Sequence, residues 1–394
     1  MKPSAALALC LAAALSGCAA RQGSVGSRVF VVERNDETLA VYDLTSRAVV
    51  GRIGKLGNLQ HATMTFSPDL RYGYVASRSG KLSQIDLAKM ERAGEVFTSK
   101  SSIDIAVSQD GRYIATAEYV PGGLTILDAQ TLAVVKRIPA PIEVDGQQRE
   151  SRVTGVVDAP GNRFVCVLME GHEVWVVDAS RPDFPIERRV PVIADEPYDA
   201  MITPDGRHYV VGHLNTPQVS VIDLAHAEPA PRLVSLQDPA QAYQRGRVVK
   251  LPHLASWAVA RGYVFVPLVG EKRLALLDRN SWEFKRSIAV RGHPVYAVRA
   301  PGEREVWVSF SGEDDDAYVQ VIDTETLAVT HTIRIGGRVY HMDFTPRGSH
   351  LLASANRDNK LVLVNTTSYS VESEVALRSP SGIFGVWRAF ISGL

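Results

Sequence analysis

Hydrophobic and polar residues alternate along most of the chain, in short runs that polar turns interrupt. A period of two predicts half-buried β-strands, and turns with Gly, Asp or Pro favour tight reversals. Seven turn-and-strand units are recognisable: "FSPDLRYGYVAS", "VSQDGRYIATAE", "DAPGNRFVCVLM", "ITPDGRHYVVGH", "VARGYVFVPL", "RAPGEREVWVSF" and "FTPRGSHLLASA". Most of these units are followed by a second strand that ends near Asp, such as "LTILDA". Many then have a third strand, such as "LAVVKRI". With the strand before each turn, one unit has four strands in roughly 40 to 55 residues, which is typical of a propeller blade.

An eighth unit is divided between the two ends of the chain. Its outer strands lie in "RVFVVERNDETLAVYDLTSRAVVGRI", which begins at Arg28, and "GIFGVW" at 382–387 supplies one last strand. We therefore predict an all-β fold, an eight-bladed β-propeller closed by pairing of the C-terminal strand with the N-terminal blade, since closure removes exposed sheet edges. Seven blades and an unrelated tail are the alternative. A single domain at 28–394 is expected, with long inter-blade loops at 139–151 and 236–252.

The first 18 residues have a different character. "MKPSAALALCLAAALSGCAA" contains one Lys, an apolar run too short to cross a bilayer, and then Leu15-Ser16-Gly17-Cys18. This pattern resembles a bacterial lipobox, whose Cys becomes lipid-modified when the preceding peptide is removed. We expect a signal peptide over 1–18 with a lipid anchor at Cys18, a linker over 19–27, and a periplasmic location, at the outer membrane rather than the inner because Ala19 is not Asp. A plain signal peptide is the alternative, and it also implies export.

Composition narrows the possible functions. The 394 residues include 43 Lys and Arg against 43 Asp and Glu, and this balance argues against non-specific nucleic-acid binding. If Cys10 leaves with the signal peptide and Cys18 carries lipid, only Cys166 remains, and a disulfide within the chain is impossible. Cys166 lies in the apolar run "RFVCVLM", which indicates a core position. The sequence has no Cys-x-x-Cys-His motif, so a covalently attached c-type haem is excluded.

Polar residues that precede or begin the innermost strands should meet at one mouth of the central channel. In the repeat register, His61, His253 and His341 fall at equivalent positions of three blades, where the chain enters the innermost strand. Arg152 and Arg338 stand at the start of two further such segments. Further mouth residues are Asp104, Tyr198, Asp199, His293 and Tyr296. Imidazole can ligate iron, and guanidinium groups match carboxylates in bidentate geometry. Such a mouth suits a planar, metal-containing ligand that carries carboxylates, although each His alone could equally be a hydrogen-bonded loop residue.

The aligned repeats resemble the d1 domain of cytochrome cd1 nitrite reductase, and more closely the exported haem d1 biosynthesis proteins of denitrifying bacteria. His61 with "SPDLRY", "SRSGK" and "QIDL" is similar to the d1 segment that begins with the axial histidine. "SRVTGVV", "RVVKLPHLASW" and "SPSGIFGVW" resemble three further d1 segments, and the second of these places His253 as a distal histidine. The similarity spans 28–387, but the N-terminal cytochrome c domain of the reductase has no counterpart. At the position of the second distal histidine the chain has Arg299 and Ala300, for which His293 or His341 could substitute.

The resemblance implies that haem d1 or a d1 precursor, an iron tetrapyrrole, is bound non-covalently. His61 is then the expected iron ligand, Arg78, Arg152 and Arg338 pair with its carboxylates, and His341 lies nearby. It also implies an acidic residue in the loop between the third and fourth blades, for which Asp145 is the candidate, although "VDGQQ" could equally be a plain surface turn. Asp145, Tyr198 and His253 would line the face where proton transfer or side-chain oxidation occurs.

The expected role is a late step of haem d1 maturation for nitrite reductase in denitrification, with cytochrome cd1 or other assembly proteins as partners and a homodimer as one option. A carrier that delivers the tetrapyrrole without catalysis would use the same binding residues, so it stays open beside the enzyme. A protein-interaction scaffold and a metal-dependent lactonase are further alternatives. The lactonase needs carboxylates and Asn around a divalent cation, whereas the inner loops here contain mainly His, Arg and Tyr.

Overall fold

The computed structural model of the protein describes residues 23–192, 194, 196–214, 216–227, 230–240 and 257–391. These residues form eight four-stranded antiparallel sheets and one separate two-stranded hairpin. The prediction of an all-β, eight-bladed propeller is confirmed. Strands are numbered β1 to β34 in chain order, and each sheet is one blade. No helix in the described ranges has the length and apolar character that crossing a membrane requires.

Blade 1 joins the two ends of the chain. Its strands, from the outside inward, are β3 (Ala48–Ile53), β2 (Thr38–Asp43), β1 (Arg28–Glu33) and β34 (Pro380–Gly385). β34 pairs antiparallel with β1, with Phe30 opposite Phe384 and Val31 opposite Ile383. The C-terminal strand is therefore the innermost strand of the N-terminal blade. Every residue of β1 and β2 is buried, as expected for the middle strands of a blade.

The other blades each take four consecutive strands, with the first one innermost. Blades 2 to 4 contain β4–β7 (Thr63–Phe66, Tyr72–Ala76, Lys81–Asp86, Glu91–Phe97), β8–β11 (Ser101–Val107, Tyr113–Val120, Leu124–Asp128, Val134–Ile138) and β14–β17 (Val153–Ala159, Arg163–Leu168, Glu173–Asp178, Ile186–Pro191). Blades 5 and 6 contain β18–β21 (Pro197–Ile202, His208–His213, Gln218–Asp223, Arg232–Ser235) and β22–β25 (Ala258–Ala260, Tyr263–Leu268, Arg273–Asp278, Phe284–Ala289). Blades 7 and 8 contain β26–β29 (His293–Arg299, Glu305–Ser311, Tyr318–Asp323, Val329–Arg334) and β30–β33 (Val339–Phe344, His350–Ala355, Lys360–Asn365, Ser370–Ala376).

The innermost strands all run in the same direction, which gives the molecule two distinct faces. We call the end where they begin the upper mouth and the end where they finish the lower mouth. Connections from the outermost strand of one blade to the innermost strand of the next cross the upper face. The connection from blade 3 to blade 4 contains the extra hairpin, β12 (Pro141–Val144) and β13 (Gln147–Glu150), at the predicted long loop.

β-Bulges recur at the upper mouth. In six blades the pairing register between the innermost strand and its neighbour shifts near the start of the innermost strand. Examples are the shifts between Ser102 and Asp104 on β8 and between Val339 and Met342 on β30. A bulge leaves a residue outside the regular ladder and redirects its side chain. The upper mouth can therefore present polar side chains while Met342 and its equivalents stay in the core.

The lower face is built from turns that satisfy their own polar groups. The third strand of every blade ends in Asp or Asn, whose side-chain oxygen accepts at least one backbone N–H of the following turn: Asp43, Asp86, Asp128, Asp178, Asp223, Asp278, Asp323 and Asn365. These are the repeated Asp positions of the sequence, so their periodicity has a structural cause. After β34, the 3-10 helix Val386–Phe390 packs at the lower mouth.

Candidate functional site

The upper mouth contains two groups in which a tyrosine lies between two arginines. The first, which we call the Tyr119 cluster, joins three blades. The guanidinium carbon of Arg78 lies 4.5 Å from the ring centroid of Tyr119, and that of Arg152 lies 5.5 Å from it. Tyr119 stands near the upper end of β9 in blade 3, between Arg78 of blade 2 and Arg152 of blade 4. These distances are typical of cation–π contacts.

The second group, the Tyr340 cluster, lies where blade 8 meets blade 1. The guanidinium carbon of Arg34 lies 4.8 Å from the ring centroid of Tyr340, and that of Arg338 lies 4.9 Å from it. Arg338 directly precedes β30, as Arg152 directly precedes β14, so both occupy the predicted positions at the start of inner strands. Arg338 also has a φ of +60°, a left-handed conformation that is uncommon for a residue with a side chain.

The four arginines differ in how they are neutralised. Arg152 forms an ion pair with Glu170, with 2.5 Å between Nη2 and Oε1, and its backbone N–H donates to the same carboxylate. Within the described part of the chain, Arg34, Arg78 and Arg338 form no ion pair with a carboxylate. Three guanidinium groups at one mouth with no carboxylate partner create a positive potential there. An anionic ligand can therefore pair with them without displacing an internal carboxylate.

The loop that carries His61 is held between the two clusters. Arg34 Nη2 donates to the carbonyl of Gln60 at 3.1 Å, and the backbone N–H of Arg78 donates to the carbonyl of Asn58 at 2.8 Å. Leu59 in the same loop is 1% exposed and fixes it to the core. His61 itself is exposed, in a turn two residues before β4. His61 therefore lies in an exposed turn at the upper mouth, in the loop that is held between the two clusters.

His341 lies further along its innermost strand than His61 does, so the prediction that the two residues occupy equivalent positions in their blades is wrong. It is the third residue of β30, whereas His61 precedes its strand, because "MTF" before Ser67 aligns with "MDF" before Thr345. The His341 ring packs against Tyr296, 4.8 Å between ring centroids, and its Nδ1 accepts from the backbone N–H of Ile383 at 3.3 Å. With Nδ1 accepting, the neutral ring carries its proton on Nε2, so His341 fits a hydrogen-bond donor better than an iron ligand.

Tyr198 joins the Tyr119 cluster from blade 5. Burial raises the pKa of Tyr119 above its usual value, and the neighbouring Tyr198 phenol and Asp104 carboxylate raise it further. Asp104 also accepts from Thr154 Oγ1 at 3.0 Å and from the backbone N–H of Gly155 at 2.7 Å, which ties blade 3 to blade 4. The Tyr119 phenol is thus neutral at physiological pH, and it can donate a hydrogen bond rather than act as a base.

Other predicted residues lie apart from these clusters. Asp145 stands at the exposed tip of the β12–β13 hairpin, where it and Gly146 have φ values of +52° and +74°, as a two-residue hairpin turn requires. Arg299 ends β26 at the lower mouth and pairs with Glu303 at 2.5 Å, so it is remote from the upper site. His253 and Cys18 lie outside the described residues. Their roles, like that of Asp145, stay predictions.

Three mouth residues were missed by the sequence reasoning: Arg34, Tyr119 and Tyr340. Tyr119 and Arg34 lie at or just beyond the upper end of the strand next to the innermost one. Both therefore lie outside the segments that lead into the innermost strands, which is where the sequence predicts the mouth residues. Aromatic and basic residues where the neighbouring strand ends, as in "TAEYV", would have been the signal.

Comparison with known proteins identifies the group to which this geometry belongs. Residues 26–389 match the Cytochrome D1 heme domain family. The chain belongs to this family. It is 39% identical to the protein NirF of Pseudomonas aeruginosa over 394 residues, all of both chains, and 37% identical to NirF of Stutzerimonas stutzeri over 96% of this chain and 97% of that one. The predicted resemblance to NirF-type haem d1 biosynthesis proteins is confirmed.

A second type of d1-domain protein is also similar. The dihydro-heme d1 dehydrogenase of Pseudomonas aeruginosa is 29% identical over 366 residues, which are 90% of this chain and 70% of that one. The solved structure of dihydro-heme d1 dehydrogenase NirN in complex with DHE superposes with a TM-score of 0.80 at 26% identity, covering 93% of this chain and 76% of that one. A solved structure with the same architecture therefore exists with DHE bound.

Proposed function

We propose that the upper mouth binds a haem d1 precursor non-covalently and that the protein takes part in a late maturation step of the nitrite reductase cofactor. The observation that carries this proposal is the position of the His61 loop between two arginine–tyrosine clusters, in a chain of the d1 family. The similar dehydrogenase, which is named for dihydro-heme d1, supports the choice of ligand class.

The donor set fits such a ligand. Arg34, Arg78 and Arg338 can receive carboxylates through charge-assisted hydrogen bonds, and Arg152 can do so by exchanging Glu170 for a ligand carboxylate. His61 is the residue that would ligate iron, since His341 uses Nδ1 within the fold. Tyr119 and Tyr340 hold the guanidinium planes in place, which lowers the cost of ordering them on binding.

The bound iron tetrapyrrole would supply redox chemistry, and the chain would supply position and protons. Tyr198 beside the Tyr119 phenol is the described group best placed to donate a hydrogen bond to a ligand seated at the mouth. Asp145 would have to reach the ligand from its hairpin tip. A non-catalytic carrier stays a second candidate because Asp145, the proposed acid–base residue, stands at the exposed tip of a hairpin and belongs to neither cluster.

A spectroscopic titration tests the binding proposal. Purified protein mixed with haem d1 should shift the visible absorption bands of the ligand, and the His61→Ala variant should lose the axial-ligand signature. His226→Ala is the matched control, since His226 is exposed on the lower face and should leave the spectrum unchanged. Identical spectra for wild type and His61→Ala would refute the ligand role of His61, and no spectral change in any protein would refute binding.

A second experiment separates the enzyme from the carrier. Asp145→Asn and Tyr198→Phe should each keep ligand binding in the same titration. If haem d1 production in cells is then lost, the protein is an enzyme, whereas production that survives both changes supports the carrier. We also propose, from the lipobox pattern, that Cys18 carries a lipid anchor on the periplasmic side of a membrane.

A further inference from the structure

The two arginines that directly precede innermost strands, Arg152 and Arg338, are held by carboxylates in different ways. In blade 4, Glu170 accepts from the backbone N–H of Arg152 at 2.8 Å and also pairs with its guanidinium. In blade 8, the backbone N–H of Arg338 donates to Asp316 Oδ1 at 3.3 Å. The ion-pair partner of Asp316, however, is Arg357, with 2.6 Å between Nη2 and Oδ2. Each arginine thus has its backbone fixed by a carboxylate, but the carboxylate in blade 8 is neutralised by a third residue.

The backbone on both sides of Arg338 is fixed by neighbouring elements. The Asp316 carbonyl accepts from the backbone N–H of Val339, the next residue, at 2.9 Å. On the other side, the backbone N–H of Gly337 donates to Asp358 Oδ2 at 2.9 Å. Asp316 belongs to blade 7 and Asp358 to blade 8, so the segment before β30 is held from two blades. Arg338 therefore has little freedom to change its backbone conformation.

Asp316 is itself rigid. It lies in the connection between β27 and β28 at the upper face, is 5% exposed, and its backbone N–H donates to the Gly312 carbonyl at 2.8 Å. Arg338 has a φ of +60°, and such a left-handed conformation persists in a residue with a side chain only where the surroundings fix it. With this backbone, the guanidinium carbon of Arg338 lies 4.9 Å from the Tyr340 ring centroid.

We infer that Asp316 is a positioning residue for Arg338: it holds the left-handed backbone before β30, while Arg357 neutralises it and leaves the Arg338 guanidinium to a ligand carboxylate. This inference rests on the ligand site proposed above. A donor that is already held in its binding position loses less conformational freedom when the ligand arrives. A ligand carboxylate must displace Glu170 to pair fully with Arg152, whereas at Arg338 no carboxylate of the described residues competes with it.

Titration of the purified full chain with haem d1, followed by absorption, tests this role. Arg338→Ala should weaken binding about 10- to 100-fold. Asp316→Ala should weaken it about 10-fold, although removal of a negative charge would by itself strengthen the binding of an anion. Asp315→Ala is the matched control, since it removes the same charge from the same connection. Asp315 pairs with Lys272 and Arg291, each at 3.1 Å, so this variant should bind at least as tightly as wild type.

A double variant shows whether Asp316 acts through Arg338. Asp316→Ala combined with Arg338→Ala should bind no more weakly than Arg338→Ala alone. A further loss in the double variant, or equal losses in Asp316→Ala and Asp315→Ala, would overturn the inference.

Asp316→Asn separates position from charge and decides the question if Asp316→Ala does not fold. Its Oδ1 can still accept from the backbone N–H of Arg338, so affinity should equal or exceed that of wild type, and weaker binding by the folded variant would overturn the inference. An Arg338→Ala variant that binds like wild type would refute the role of Arg338 in the proposed site. The absence of any spectral change with wild type would refute the site itself, and the inference would fall with it in either case.

Discussion

The upper and lower faces of the propeller use polar residues in opposite ways. On the lower face, Asp or Asn side chains accept hydrogen bonds from the backbone of their own turns in all eight blades. On the upper face, Arg34, Arg78 and Arg338 stack on tyrosines and, among the described residues, have no carboxylate partner. The Asp and Asn side chains that recur in every blade bond within their own turns and so stabilise the fold. The arginines do not recur from blade to blade, and those that converge from several blades are available to bind a ligand.

The largest change in stability should come from a cavity in the core near the lower face. Leu87 lies directly after the turn-forming Asp86 and is fully buried, so Leu87→Ala should lower the free energy of unfolding by about 2–5 kcal/mol. Leu233→Ala is the control, because Leu233 is 44% exposed on an outermost strand. Denaturant midpoints measure the difference. Affinity of the folded fraction for haem d1 should be unchanged, and a large loss of affinity would contradict the separation of the two faces.

The reverse experiment changes the upper face. Arg78→Ala should weaken haem d1 binding about 10- to 100-fold, since a charge-assisted hydrogen bond contributes about 1.5–3 kcal/mol. The free energy of unfolding should stay within about 0.5 kcal/mol of the wild-type value, because Arg78 is half-buried and forms no ion pair among the described residues. Arg71→Ala is the matched control: Arg71 also stacks on a tyrosine, 5.0 Å from the Tyr72 ring centroid, but on the lower face. Equal losses of affinity in the two variants would refute the assignment of the site.

The same contrast explains what could be predicted from the sequence. The repeated Asp of "QIDL" and "VIDT" and the turns before the strands are local signals, so eight blades and their closure followed from them. Arg152 and Arg338 were also predictable because each directly precedes an innermost strand. The role of Tyr119 was not predictable, because its partners Arg78 and Arg152 come from the blades on either side and only the folded propeller brings them together. The depth of His341 depends on a bulge, which the alternation of the sequence does not show.

An ion pair on the lower face should make the stability of the fold sensitive to acid. Arg207 beside Asp223, with 2.8 Å between Nη2 and Oδ2, lowers the pKa of that carboxyl from 3.8 to about 2. A carboxyl with a depressed pKa adds stability that is complete above about pH 4 and is lost as the pH falls toward 2. Asp223→Asn should therefore melt at a lower temperature than wild type at pH 7, and the gap should close by pH 2. Asp183→Asn, at a position that is 58% exposed, should show no such pH-dependent gap.

The smallest effect concerns Asp343, which lies on β30 between the two faces. Burial raises its pKa to about 6, and Arg388 at the lower mouth opposes part of that rise. A buried carboxyl with a raised pKa costs stability once it ionises, so the cost grows as the pH rises from 3.8 and is complete above about 6. Asp343→Asn should therefore melt a few degrees above wild type at pH 8, and the advantage should vanish by pH 4. Thermal melts across this range measure it, and an advantage that persists at pH 4 would show that the gain comes from packing rather than from the charge.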